Sequence, residues 1–373
     1  MQITPARLDQ LILDEAAATG SGHVEHVIVL DDPDGALTDA ALTLVAAHET
    51  EAAGSRVHLA SRDLRQARQA VRIAEDAGRR DILNVAGMDG PLDTTEFIGG
   101  TGTSGRVLAL THLPKSLAEL DHLGRSLAQV GGALTLVAGG NTKHMTRSQN
   151  DTLAASFTDV HASRGQGKFR CIIASGPLDD VEPPAATALE TELGTVHGIG
   201  GVFGGANLDR GGMFLADAAI DDIRDWIGSQ PCTILDLGCG NGSVSLAALR
   251  ALPAARIIAT DVATDAVLSA DLTIAPFKER AEIVWDDAAA TVDDGEADIV
   301  LLNPPFHAGT RIDATLVQPL VDAAHRALYP GGALYLVHNS HLRYRPVLEA
   351  QFAHVTELAR NATFTVLRAD RDR

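Results

Sequence analysis

An amide, two prolines and an aromatic ring stand together at Asn303-Pro304-Pro305-Phe306, directly after the apolar stretch Ile299-Val300-Leu301-Leu302. A short apolar run ended by two prolines reads as a buried strand that emerges into a stiff loop. Such a loop can grip a planar group bearing an amine. The Asn303 carboxamide oxygen accepts a hydrogen bond from the –NH2, the Pro304 carbonyl accepts a second, and the Phe306 ring stacks on the flat face. Asn-Pro is also a common turn, so the tetrapeptide takes its meaning from what lies upstream.

Upstream runs Thr233-Ile234-Leu235-Asp236, then Leu237-Gly238-Cys239-Gly240-Asn241-Gly242 and a helix-like stretch over 243–252. Strand, glycine turn and helix in that order bring backbone close to a ligand, with a helix N-terminus behind it. A second strand at 256–260 ends in Asp261, an acid placed for ribose hydroxyls. A third at 282–285 ends in Asp286-Asp287. A dinucleotide site would show Gly-x-Gly-x-x-Gly. The spacing here is Asp-x-Gly-x-Gly-x-Gly, which resembles the S-adenosylmethionine (SAM) site of class I methyltransferases. That resemblance assigns the methionine end of SAM to Asp236 and the backbone of Gly238, Gly240 and Gly242, and the ribose to Asp261. It assigns the adenine to Asp287, with Asp286 as its rival, and puts Asn303 at both the cofactor and the amine.

These elements need a scaffold. A chain of 373 residues with 45% hydrophobic content suits two domains rather than one core. The polar, proline-bearing stretch around Pro183-Pro184 reads as a linker and sets the boundary at 1–185 and 186–373. In the second part a glycine-rich lead-in containing Phe203 and Asp209 precedes a helix at 213–227, the strands already named, a helix at 314–328 and strands at 333–337, 355–358 and 363–367. The first part repeats this layout weakly: 131–138 matches 331–338, and the segment 105–115 parallels the strand and loop of Asn303. Asp31-Asp32-Pro33-Asp34 replaces the glycine turn, and Thr111–Lys115 lacks both amide and ring. The expected fold is α/β: two tandem Rossmann-like class I methyltransferase domains with seven-stranded doubly wound sheets, the first degenerate and serving as scaffold or RNA platform.

Duplicated domains with an inactive first copy resemble the bacterial ribosomal RNA guanine-N2 methyltransferases of the small- and large-subunit type. The likeness rests on Val202-Phe203, Leu208-Asp209, 236–242, Asn303-Pro304-Pro305-Phe306-His307 and His338-Asn339-Ser340-His341-Leu342 in that order, and 344–367 is closer to the large-subunit members. It implies SAM-dependent methyl transfer to the exocyclic N2 amine of a guanine in ribosomal RNA, with Asn303, Pro304 and Phe306 catalytic. Two alternatives follow from the residues: transfer to another planar amine or amide, such as protein glutamine or adenine N6, and a non-catalytic SAM- or RNA-binding protein.

The net charge of −19 runs against a nucleic-acid partner, since phosphate neutralisation supplies much of that affinity. Two local clusters oppose it: Arg62, Arg65, Arg68 and Arg72 at helical spacing, and Lys143, His144, Arg147, Arg164, Lys168 and Arg170. Each reads equally as an RNA platform or a solvated face. Three cysteines, Cys171, Cys232 and Cys239, form neither a disulfide framework nor a metal pair, and Cys239 reads as packing within the glycine turn. No apolar run is long enough to span a membrane, and the first twenty residues lack a signal-peptide pattern. The expectations are a cytoplasmic monomer with SAM as cofactor, ribosomal RNA or a ribosomal subunit as partner, and no metal.

Overall fold

The computed structural model describes residues 3–20, 24–47, 56–87, 92–100, 105–305 and 317–373. The chain divides into two compact units, 1–185 and 186–373. Among the described residues no helix is long and apolar enough to cross a membrane.

The first unit carries β1 (His26–Val29), β2 (Arg56–Leu59), β3 (Leu83–Val85), β4 (Arg106–His112), β5 (Ala133–Asn141), β6 (Phe157–Ala162) and β7 (Phe169–Pro177). The second opens with a hairpin of β8 (Thr187–Thr191) and β9 (Gly194–Gly198), placed where the sequence suggested only linker and lead-in. It continues with β10 (Cys232–Leu237), β11 (Ala255–Asp261), β12 (Ala281–Trp285), β13 (Ala297–Leu302), β14 (Leu328–Asn339), β15 (His354–Arg360) and β16 (Phe364–Asp370). The two seven-stranded sheets share one order. It is β3-β2-β1-β4-β5-β7-β6 in the first and β12-β11-β10-β13-β14-β16-β15 in the second. The chain therefore consists of two doubly wound α/β domains of the same topology.

Alternation along the strands explains how the second sheet is covered. Ile234, Ile257, Ile299, Leu301, Tyr335 and Val337 face one core, built with the helices Arg210–Ile227 and Ser243–Ala251. Leu235, Leu237, Val300, Leu302, Leu334 and Leu336 face the other, with the helix Gln318–Ala327. Strands buried on both faces read as continuous apolar runs, which is why the sequence located them.

Register shows what the first unit lost. In the second sheet Leu237 lies opposite Thr260 and Leu302, so the chain next reaches Gly238, Asp261 and Asn303. In the first sheet the match of 131–138 to 331–338 sets Leu136 in the place of Leu336; Leu136 lies opposite Ala109 and Ala109 opposite Ile28, which faces His58, so the corresponding next positions are Val29, Leu59 and Leu110. A glycine, a carboxylate and an amide have become three apolar residues. Around the switch point the unit's own side chains bond to one another. Gln66 Nε2 donates to Asp31 Oδ1 at 2.6 Å, and the Asp31 amide donates to Thr111 Oγ1 at 3.2 Å. His112 pairs with Asp9 at 2.6 Å.

Asp32 is buried and accepts from the Leu37 amide, the Thr38 amide and the Thr38 hydroxyl, at 3.2, 2.8 and 2.8 Å. It caps the start of the helix Ala36–Ala47. Burial pushes its carboxyl above the ordinary range. Asp32→Ala would strand these donors in a buried place and is expected to destabilise the protein by about 1–3 kcal/mol in urea unfolding, with SAM affinity unchanged.

Candidate active site

The three glycines of the turn after β10 all have left-handed backbones, with φ of 82°, 54° and 79° at Gly238, Gly240 and Gly242. Gly242 admits no side chain for a second reason. A Cβ there would lie 2.9 Å from the Ala270 Cα. At Gly238 and Gly240 no atom of the described residues lies within 4 Å of the place that a Cβ would take. The turn is thus closed underneath and open above, the form of a cradle for a ligand lying across the backbone. Its shape is held by the Gly238 and Cys239 amides, which donate to the Thr260 carbonyl at 2.8 and 3.0 Å, and by the Gly242 amide, which donates to Cys239 at 2.9 Å. Cys239 is buried, and burial with Asp261 and Asp236 nearby drives its thiol pKa far up, so it packs and does not act as a nucleophile.

Asp261 stands at the end of β11 beside the cradle. Its Oδ2 accepts from the Gly240 amide at 3.0 Å and its Oδ1 from the Ala263 amide at 2.9 Å. Asp236 is buried beneath the turn, where Ser245 Oγ donates to its Oδ2 at 2.6 Å. Asp286 is also buried. Its Oδ1 accepts from the Asp287 amide, and its Oδ2 from the amide and hydroxyl of Thr291. Asp286 therefore shapes the turn that presents the half-buried Asp287, and the backbone after it is tightly wound, with Ala288 and Ala289 at φ of 52° and 51°.

Asn303 leaves β13 at the same end of the sheet. Its Nδ2 donates to Asp209 Oδ2 at 2.9 Å. The same oxygen accepts from the Gly212 amide at 2.6 Å, so Asp209 is the N-cap of the helix Arg210–Ile227 as well. Close packing makes the approach feasible: a Cβ on Gly212 would lie 2.8 Å from Val244 Cγ2 and 3.5 Å from Asn303 Nδ2. A carboxylate can only accept, so it fixes which end of the amide faces it. The other end, Asn303 Oδ1, is buried and has no hydrogen-bond partner among the described residues. A buried acceptor without a partner is uncommon and marks a place where a donor belongs.

The lead-in joins these parts. The Gly201 amide donates to Asp265 Oδ2 at 2.7 Å, Asn241 Nδ2 donates to the carbonyls of Gly205 and Asn207 at 2.8 and 2.9 Å, and Asp209 reaches Asn303. Phe203 lies on this segment and is 69% exposed, so it does not pack into the core. Asn339 sits at the end of β14, where its carbonyl accepts from the Leu342 amide, and His341 is exposed. Phe306 and His307 lie outside the described residues. Sequence reasoning missed the Asp209–Asn303 bond. The only local signal was an Asp three residues before a glycine at a helix start.

A glycine cradle, a carboxylate at the second strand and an amide at the fourth, on a sheet of this order, define a class I methyltransferase. A family model described as methyltransferase small domain matches residues 194–368. Proteins described as ribosomal RNA large subunit methyltransferase G are similar over most of their length. The one from Magnetococcus marinus is 30% identical, over 76% of each chain. The one from Pseudomonas entomophila is 30% identical over 97% of this chain and 91% of its own. The chain belongs to the ribosomal RNA large subunit methyltransferase G family. A solved T. thermophilus 16S rRNA N2 methyltransferase, in complex with AdoMet and guanosine, has the same two-domain fold, with a TM-score of 0.70, 22% identity, and coverage of 98% of this chain and 92% of that one.

Burial lifts the Asp236 carboxyl from 3.8 to about 6, with the Asp261 charge adding to the rise and the Ser245 bonds opposing it. The folded state holds this proton more tightly than the unfolded chain, so the contribution to stability is complete below pH ~4 and is lost as pH rises through ~6. Its size is about 3 kcal/mol. Urea unfolding between pH 4 and 7 is expected to show this decline in the wild type and not in Asp236→Asn; coincident pH profiles would refute it.

Proposed function

We propose that the protein transfers a methyl group from SAM to the exocyclic N2 amine of a guanine in large-subunit ribosomal RNA. The observation that carries this reading is the buried, unpartnered Asn303 Oδ1, held in place by Asp209. The names of its relatives support ribosomal RNA, and the open cradle over Gly238 and Gly240 supports SAM. Bound there, SAM supplies an electrophilic methyl group.

The chain's residues do the rest by positioning. Gly238, Gly240 and Gly242 offer backbone to the methionine end, with Asp236 beneath them. Asp261 accepts from the ribose hydroxyls, and Asp287 serves the adenine on the turn that Asp286 shapes. A guanine N2 lone pair is delocalised into the ring and nucleophilically weak. Asn303 Oδ1 and the Pro304 carbonyl accept its two N–H groups and turn that lone pair out of the ring plane toward the donor. Fixing an in-line geometry of this kind lowers the barrier without a strong base. Unstacking the base from RNA costs a few kcal/mol, and stacking on Phe306 would return about 1–3 kcal/mol of that. Asp209 acts through Asn303 and is a positioning residue. The degenerate first unit serves as scaffold and RNA platform. All these groups lie on one chain, so the reading calls for no second copy, and a ribosomal RNA substrate favours the cytoplasm as the place of action.

Asn303→Ala is expected to keep SAM affinity in calorimetry while methyl transfer falls by roughly two or more orders of magnitude; near-normal turnover would sink the role of the amide. Asp209→Ala should lower kcat with little change in KM for RNA, and Asp209→Asn, which retains an acceptor, should recover much of the loss. Mapping N2-methylguanine in the ribosomal RNA of a deletion strain tests the substrate directly. Loss of one such mark from the large subunit is the expected result, and an unchanged set refutes the reading.

A further inference from the structure

Asn339 stands at the sheet edge that holds Asn303, and the reaction above leaves it unused. Leu302, the last residue of β13, lies opposite Leu336 of β14, and β14 runs three residues further, to Asn339. β14 therefore rises beside the exit of β13. Side chains alternate between the faces of a strand, and Tyr335 and Val337 belong to the core under the helix Arg210–Ile227. Asn339 is next in that series, so it faces the helix side, where Asn303 meets Asp209. Its cross-strand partner agrees: Asn339 lies opposite Phe364 of β16, and Phe364 packs against the same core.

Close packing joins the two amides. A Cβ on Gly212 would lie 3.5 Å from Asn303 Nδ2, and one on Gly211 would lie 3.2 Å from Asp209 Oδ2 and 3.3 Å from the Phe364 ring. Asn303, the start of the helix and Phe364 form one continuous wall, with Asn339 at its outer end. Continuing the register past Leu302 sets Asn303 level with Val337. Asn339 is then two residues, about 7 Å, further along and one strand, about 5 Å, across. Its backbone is held on both sides. The Leu342 amide donates to the Asn339 carbonyl and the Ser340 amide to the Thr363 carbonyl, both at 2.8 Å. Asn361 Oδ1 accepts from the Thr363 and Phe364 amides at 2.8 and 2.7 Å. The Asn339 carboxamide is half-buried and has no hydrogen-bond partner among the described residues.

We infer that Asn339 is a specificity residue that reads the edge of the target guanine beside the amine held by Asn303, an inference that rests on the guanine reading above. On that edge N2 is followed by N1–H, a donor, and then by O6, an acceptor. A carboxamide matches this pair, with Oδ1 accepting from N1–H and Nδ2 donating to O6. The other amines open to an Asn303-type grip present a different neighbour. Adenine held through N6 offers N1, a bare acceptor, and then a C–H. A protein glutamine offers its own carbonyl and no N–H beside it. Asn303 selects for an amine, and Asn339 selects guanine among the groups that carry one.

The analogue 2-aminopurine separates the two roles, because it keeps the 2-amine but has neither N1–H nor O6. The test uses the full chain and a ribosomal RNA fragment with guanine or 2-aminopurine at the modified position, and kcat/KM is measured for both. The wild type is expected to prefer guanine. In Asn339→Ala that preference should fall by about tenfold or more, through loss of guanine transfer rather than gain with the analogue. Transfer to 2-aminopurine and SAM affinity in calorimetry should each stay within about twofold, which a merely structural defect would not allow. Asn339→Ser keeps a polar group too short to meet both positions. It should show the same fall, and it carries the test if the alanine variant does not fold. Asn303→Ala, by contrast, should lower transfer to both substrates alike. An unchanged preference in Asn339→Ala and Asn339→Ser would overturn the inference while leaving the guanine reading intact. A wild-type protein that methylates no guanine in ribosomal RNA would overturn both.

Discussion

One oxygen of Asp209 accepts two hydrogen bonds, from the Gly212 amide and from Asn303 Nδ2, and the geometry of the second unit is organised around it. The first bond starts the helix Arg210–Ile227, which packs against the sheet as one of its main cores. The second reaches 94 residues along the chain to the exit of β13. A helix start and a strand end are thereby locked to each other by one carboxylate. Because that carboxylate cannot donate, it also decides the orientation of the amide. The unpartnered Asn303 Oδ1 is a consequence of this lock. Without it the amide could rotate and satisfy itself.

The two units show how little sequence is needed to make or unmake such a site. Both sheets have the same strand order, and three positions distinguish them at the switch point: Gly238, Asp261 and Asn303 against Val29, Leu59 and Leu110. The first unit even keeps a carboxylate near its helix start that reaches the exit of the fourth strand, in the Asp9–His112 pair. There the partner is a histidine that satisfies the carboxylate and leaves no acceptor waiting. Fold and reactivity are separable here because packing uses the apolar alternation of the strands, while the proposed site draws on residues near and beyond their ends.

That separation sets what could be read from the sequence. The strands of the second unit were legible because burial on both faces writes apolar runs into the chain, and the glycine turn because three left-handed positions in seven residues leave few alternatives to glycine. Asp261 and Asp287 could be placed by counting to strand ends. Local pattern could not tell Asp286 from Asp287, since turning one carboxylate inward depends on Thr291 five residues later. It could not find the Asp209–Asn303 bond, whose partners are distant in sequence. Nor could it distinguish the two basic clusters, because whether an arginine is paired depends on a Glu119 or Asp63 brought up by folding. The β8–β9 hairpin was hidden for another reason. Four of the five β8 residues are exposed, so no apolar period marks them.

The paired acceptors at Asn303 and Pro304 also count. A primary amine brings two N–H groups and can satisfy both. Once it carries a methyl group it has a single N–H, and one buried acceptor is left empty at a cost of about 1–3 kcal/mol. On the proposed chemistry the product is therefore a poorer fit than the substrate to the same unmoving frame. The arrangement that primes the first transfer disfavours a second, so the number of methyl groups added is limited by the loop's own hydrogen-bonding capacity.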